Sequence, residues 1–200
     1  MATPDSYYVN IPGKRISPAS IKNGCYLKNL NSDEVIADIY LNRSIIKKNG
    51  GDIAAALKDV NHAIELHGND AVAFCNRGVI YEKMQDSDRA MHDYNKAIEL
   101  NPDYAPAYHN RGTLYAAMEI IDKAIMDYSK ALALNPNSAL SYYNRGIAFK
   151  IINRTDLSIK DLSKAISLEP KFAPAYAHRG LAYAESGEPE IAVSDFDISL

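Results

Sequence analysis

The sequence predicts an all-α solenoid of about five helical hairpins, and three observations carry that expectation. First, Ala105–Ser138, APAYHNRGTLYAAMEIIDKAIMDYSKALALNPNS, falls on Ala71–Tyr104 when moved back thirty-four residues and on Ala139–Phe172 when moved forward. Second, each copy splits into two stretches with apolar residues at helical spacing, joined by a short linker. Third, Pro102, Pro136 and Pro170 close three successive copies, and proline disfavours helix in the residue before it. A fixed period of this length marks a repeat array, in which each unit buries its apolar face against its neighbours.

Taken in order, residues 1–36 precede the array. The first sixteen are polar, carry Pro4, Pro12 and Gly13, and show no helical period, so an irregular arm is expected. Ser17-Pro18 then reads as an N-cap with proline in the first turn. Ile21, Cys25, Leu27 and Leu30 suit a short helix ending near Asn31-Ser32, which would cover the open side of the first unit as solenoid ends require. The units follow at 37–70, 71–104, 105–138, 139–172 and 173–200, the last stopping before its period is complete. In the second unit the first helix is expected from Ala71 to Met84 and the second from Asp88 to Leu100. The short linker makes the two antiparallel. Gly50-Gly51 and Gly187 mark that turn in the first and last units, and Asp86 and Asp88 suit the cap and first turn of a second helix.

Composition bounds the function. Two hundred residues that are 47% hydrophobic can bury a core, and a net charge of −3 gives no reason to expect nucleic acid or an anionic membrane as partner. No stretch is long enough to cross a bilayer, and the N-terminus lacks the apolar core of a signal peptide, so a cytoplasmic protein is the expectation. Cys25 and Cys75 form no metal or redox spacing. The histidines at 62, 67, 92, 109 and 178 make no zinc-type cluster. Phosphate loop, dinucleotide fingerprint and serine elbow are all missing. Neither catalysis nor a cofactor or metal is expected.

The register closely resembles the tetratricopeptide repeat family. The residues that carry the likeness are the aromatics Tyr40, Phe74, Tyr108, Tyr142 and Tyr176, then the small residues Ser44, Gly78, Gly112, Gly146 and Gly180. Tyr81, Tyr115, Phe149 and Tyr183 follow, then Ala56, Ala90, Ala124, Ser158 and Ala192, and then Ala63, Ala97, Ala131 and Ala165. The resemblance covers residues 37–200 and implies a right-handed solenoid. The first unit departs most, with Lys47 in the second aromatic place and Gly68 in the place of the closing proline. Glycine inside a helix costs about 1 kcal/mol relative to alanine. Its return at four equivalent places implies that the second helix crosses there too closely for a side chain, with that helix's small residues on the other side.

Two polar columns call for opposite readings. Arg43, Arg77, Arg111, Arg145 and Arg179 are matched by Asp59, Asp93, Asp127, Asp161 and Asp195, so a structural ion pair between helices, reaching toward neighbouring units, is expected in place of a phosphate site. Asn42, Asn76, Asn110 and Asn144, with His178 in the fifth place, have no partner column. By family position they lie on the concave face, and they resemble the asparagine ladder of the O-linked N-acetylglucosamine transferase. A carboxamide can donate to a carbonyl and accept from an amide, so it holds a peptide backbone of any sequence. Helices pack about 8–10 Å apart and an extended chain advances about 3.3 Å per residue, so one asparagine would meet about every third ligand residue.

Family position also turns Val72, Cys75 and Val79 inward, followed by Pro106, His109 and Thr113, then Leu140, Tyr143 and Ile147, and finally Ala177 and Leu181. This groove is mostly apolar. The lysines and extra asparagine with which chaperone-binding members clamp a C-terminal carboxylate are replaced by Leu41, Ile45, Cys75 and His109, so a chaperone tail is not the expected partner. The resemblance implies a non-catalytic scaffold or adaptor that binds a protein or peptide in the groove. One alternative is the targeting portion of a longer enzyme, suggested by the stop at Leu200. Another is a self-associating scaffold, a homo-oligomer formed through an open edge around Phe196, Ile198 and Leu200.

Overall fold

Among the described residues, ten helices in five antiparallel pairs follow the thirty-four-residue period. The computed structural model describes residues 10–11, 14–15 and 32–199. The first pair is α1 (Ser32–Asn49) and α2 (Ile53–Leu66), the second α3 (Ala71–Lys83) and α4 (Ser87–Leu100). Then come α5 (Ala105–Ala117) with α6 (Ile121–Leu134), and α7 (Ala139–Ile151) with α8 (Thr155–Leu168). The last pair is α9 (Ala173–Ser186) and α10 (Pro189–Ser199). The expected short helix over Ile21–Leu30 lies outside the described residues, as does Leu200. Helix α1 starts at Ser32, ahead of the unit boundary at Ala37, and carries Asp33 and Glu34 in its first turn, where carboxylates favour the positive end of the helix dipole. The arm expected to be irregular contains two short strands, β1 (Asn10–Ile11) and β2 (Lys14–Arg15), paired antiparallel with Asn10 opposite Arg15. Only two residues separate them in the sequence, Pro12 and Gly13, both favoured in tight turns.

Local chemistry sets the helix ends. The carboxylates of Asp52, Asp70 and Asp86 accept backbone N–H bonds from Ala55, Val72 and Arg89 at 3.0, 2.8 and 3.0 Å, capping α2, α3 and α4. Each turn within a pair holds one residue at positive φ: Gly51 at 87°, Gln85 at 61°, Glu119 at 60°, Asn153 at 58° and Gly187 at 85°. Only the first and last of these five equivalent places are glycine.

Within each pair the second helix presses its residue sixteen positions on against the small residue of the first. A Cβ on Gly78 would stand 2.6 Å from the Tyr94 ring, on Gly112 3.0 Å from Tyr128, on Gly146 3.0 Å from Leu162 and on Gly180 2.9 Å from Phe196. The close crossing is as expected, but large side chains make it, not the small residues of the second helix alone. Phe196 thus packs against Gly180 inside the last pair and is half-buried, while Ile198 is exposed. In the first pair the corresponding residue is the smaller Val60, and Ser44 fits there, buried, donating to the Ala56 carbonyl at 2.9 Å.

Between pairs, a further small column does the stacking: Ala73, Ala107, Ser141 and Ala175 are buried, as are Ile80, Leu114, Ala148 and Ala182. Their equivalents in the first pair, Ile39 and Ile46, are 57% and 67% exposed, because no described unit precedes them. Each first helix also touches the first helix of the next pair, whereas no two second helices come together to that extent. First helices therefore line the inner, concave side. No helix among the described residues is long and apolar enough to cross a membrane.

Candidate functional site

Each arginine of the column is paired with an aspartate of its own hairpin. In all five pairs the arginine Nε and Nη2 donate to both oxygens of the aspartate sixteen residues on, at 2.6 to 3.0 Å. From the second pair onward, Nη1 crosses to the preceding unit, where Arg77 meets Asn61 at 3.0 Å, Arg111 meets Asn95 at 2.7 Å, Arg145 meets Ser129 at 3.0 Å and Arg179 meets Ser163 at 3.1 Å. The guanidinium also lies between the two aromatics of its own helix, 5.2 and 5.8 Å from Phe74 and Tyr81 for Arg77. In the first pair Lys47 replaces the second aromatic and joins Asp59 at 2.8 Å. The bonds from Arg43, and after them Lys47, hold the Asp59 carboxyl at about 2, against the opposing effect of burial. From the second pair onward, such fully spent arginines have nothing left for a phosphate.

The asparagine column differs in kind. Asn42 is exposed and Asn144 half-buried, and neither side chain has a hydrogen-bond partner among the described residues. Asn76 donates to the Val72 carbonyl of its own helix at 3.0 Å, and Asn110 donates to Cys75 Sγ at 3.3 Å. Both keep a free carbonyl oxygen. In the fifth place His178 stands edge-on to Tyr143, with ring centroids 5.5 Å apart, and burial together with Lys150 lowers its pKa.

The flanking residues divide by burial. Val72, Val79, Tyr143 and Ile147 are half-buried and Thr113 is exposed. Cys75 lies beneath the surface at 3% exposure, and burial pushes its thiol up to about 12, so it is no nucleophile at neutral pH. His109 reaches Ser141 Oγ with Nδ1 at 2.8 Å, and burial lowers its pKa. A pocket of about 270 Å³ opens between α5 and α7, walled by Thr113, Ala116, Ala117, Asn144, Ile147 and Ile151 with Tyr128 at its floor. The Tyr128 hydroxyl donates to Thr113 Oγ1 at 3.3 Å, so the floor is apolar in effect. A smaller pocket of about 190 Å³ lies nearer the helix starts, by Pro106, His109, Asn110 and Leu140. No group of three or more metal-ligating side chains occurs among the described residues.

Sequence reasoning missed three features. The acceptors Asn61, Asn95, Ser129 and Ser163 recur at the repeat period, so their spacing could have revealed them. The same holds for the buried Ala73, Ala107, Ser141 and Ala175. Lys48 and Lys83, near the ends of α1 and α3, bring positive charge to one side of the groove, and charge counted over the whole chain hides them.

A tetratricopeptide repeat family model matches residues 71–104 and 105–138, and a second one, also of the tetratricopeptide repeat, matches 128–160. No curated protein matches the chain. Among solved structures, that of MamA is 26% identical, with 78% of this chain and 91% of MamA covered and a TM-score of 0.69. PilF of Pseudomonas aeruginosa is 16% identical over 84% of this chain and 77% of its own, with a TM-score of 0.80. YrrB, described as a TPR protein with an unusual peptide-binding site, is 20% identical over 90% of both chains, with a TM-score of 0.66. The last two likenesses speak for the fold alone.

Proposed function

The chain contains tetratricopeptide repeats, and we propose that it is a protein-interaction scaffold whose concave face holds an extended segment of a partner protein. The contrast between the two polar columns carries this reading. From the second pair onward each arginine of the column is consumed by Asp, by the preceding unit and by aromatic rings, whereas the asparagines on the inner face keep hydrogen-bonding capacity that the fold does not use. Asn42 and Asn144 offer whole carboxamides, and Asn76 and Asn110 offer acceptors for a ligand N–H. A row of such groups along stacked helices suits a regular backbone, and the apolar pockets beside it suit selected side chains. The peptide-binding description of YrrB, a similar fold, adds support by analogy. Nothing in this reading calls for catalysis: the Cys75 thiol is buried and protonated, and His109 and His178 have no carboxylate partner among the described residues.

Affinity capture with quantitative mass spectrometry tests it, comparing the native protein with Asn76→Ala, Asn110→Ala, Asn144→Ala combined. Equal helicity and thermal stability must be established first. A defined set of proteins lost with the triple variant is the expected result. An unchanged set would move the site off the concave face.

A further inference from the structure

Lys48 and Lys83 stand at the concave side of α1 and α3, near the C-terminal ends of these helices. Neither has a carboxylate partner among the described residues. Glu82, next to Lys83 in the sequence, accepts a hydrogen bond from the Tyr94 hydroxyl. Lys48 is half-buried, and its pKa is lowered by that burial and then by the neighbouring Lys83 ammonium. Two ammonium groups that repel each other and have no counter-ion among the described residues favour an added carboxylate. At the far end of the same edge the charges are already neutralised, since Lys150 meets Glu185 at 3.0 Å across α7 and α9. The groove is thus electrically lopsided: open cations by the first two units, an apolar pocket between the third and fourth, and a closed ion pair beyond.

We infer that the groove takes an extended segment carrying an acidic side chain and an aliphatic one about four residues apart, the acid at Lys48 and Lys83 and the aliphatic group in the pocket between α5 and α7. The inference rests on the concave-groove reading and specifies its ligand. First helices about 8–10 Å apart put the pocket roughly one and a half steps from Lys83, or about 12–15 Å. An extended chain covers that in about four residues at 3.3 Å each, and residues four apart point to the same side of the strand. The pocket, near 270 Å³, falls below the roughly 300 Å³ at which small-molecule sites begin. It suits one leucine, isoleucine or methionine side chain. Its walls, Ala116, Ala117, Ile147 and Ile151, offer no charge, and Asn144, also lining it, can hold the backbone of the inserted residue.

Panning the intact protein against random dodecapeptides at low salt tests the inference. Enriched sequences should carry Asp or Glu four residues from Leu, Ile or Met. A synthetic consensus peptide, followed by fluorescence anisotropy, should lose at least about tenfold in affinity on Lys48→Glu with Lys83→Glu. The same peptide with lysine in place of its acid should regain affinity on that charge-reversed protein, and Lys48→Gln with Lys83→Gln should lie between. Peptides that need Asn76, Asn110 and Asn144 yet ignore the lysine changes would overturn the acidic ligand and leave the groove reading standing. Binders indifferent to both sets of substitutions, or no binders at all, would overturn both.

Discussion

Gly78 shows how much one hydrogen atom in place of a methyl group decides. Alanine there would gain about 1 kcal/mol of helix propensity, but its Cβ would lie 2.6 Å from a Tyr94 ring that is itself fully buried and tied to Glu82 through its hydroxyl. The ring cannot retreat without breaking that bond, and overpacking of this kind costs about 1–3 kcal/mol. Gly78→Ala should therefore destabilise the protein despite the better helix former, with a lower urea midpoint. A midpoint equal to or above that of the parent would show that the ring yields. The glycine column was legible from sequence because the cost recurs at one register. What met it was not legible, since Tyr94, Tyr128, Leu162 and Phe196 share bulk but no single residue type.

At the scale of the hairpin, the turn joining the two helices needs a positive φ in every unit, yet glycine supplies it only in the first and last. A left-handed conformation costs an ordinary residue about 1–2 kcal/mol, partly offset because glycine loses more chain entropy on folding. Glu119 is exposed and no side-chain hydrogen bond ties it down, so Glu119→Gly should stabilise by up to about 1 kcal/mol, seen as a rise in Tm. A fall would mean that the Glu119 side chain contributes something its surroundings do not reveal. The helices themselves were readable from apolar spacing and from the prolines. The start of α1 at Ser32 was not, because the first unit lacks a preceding closing proline and its acidic first turn resembles any polar linker.

Across the whole molecule, stability is the sum of units and of the interfaces between neighbours. The interfaces combine an apolar part, the small buried residues that begin the first helices of the second to fifth pairs, with a polar part, the Nη1 bond from Arg77, Arg111, Arg145 and Arg179 to the unit before. The inter-unit acceptors explain why an arginine stands in each of the last four pairs, when a lysine could pair with the aspartate alone: only a guanidinium can hold a carboxylate with two groups and still donate sideways. Asn95 is exposed, so removing its side chain leaves no cavity, only an unmet donor on Arg111. Asn95→Ala should cost about 0.5–1.5 kcal/mol, and that loss should fall on the contact between the second and third units while each hairpin stays intact. Hydrogen exchange resolved by segment would read it as faster opening of α3–α4 relative to the middle of the array, with a broader denaturation transition. Uniform acceleration through all ten helices would mean instead that the array unfolds as one block and that the arginine bridges couple units more tightly than a single bond suggests.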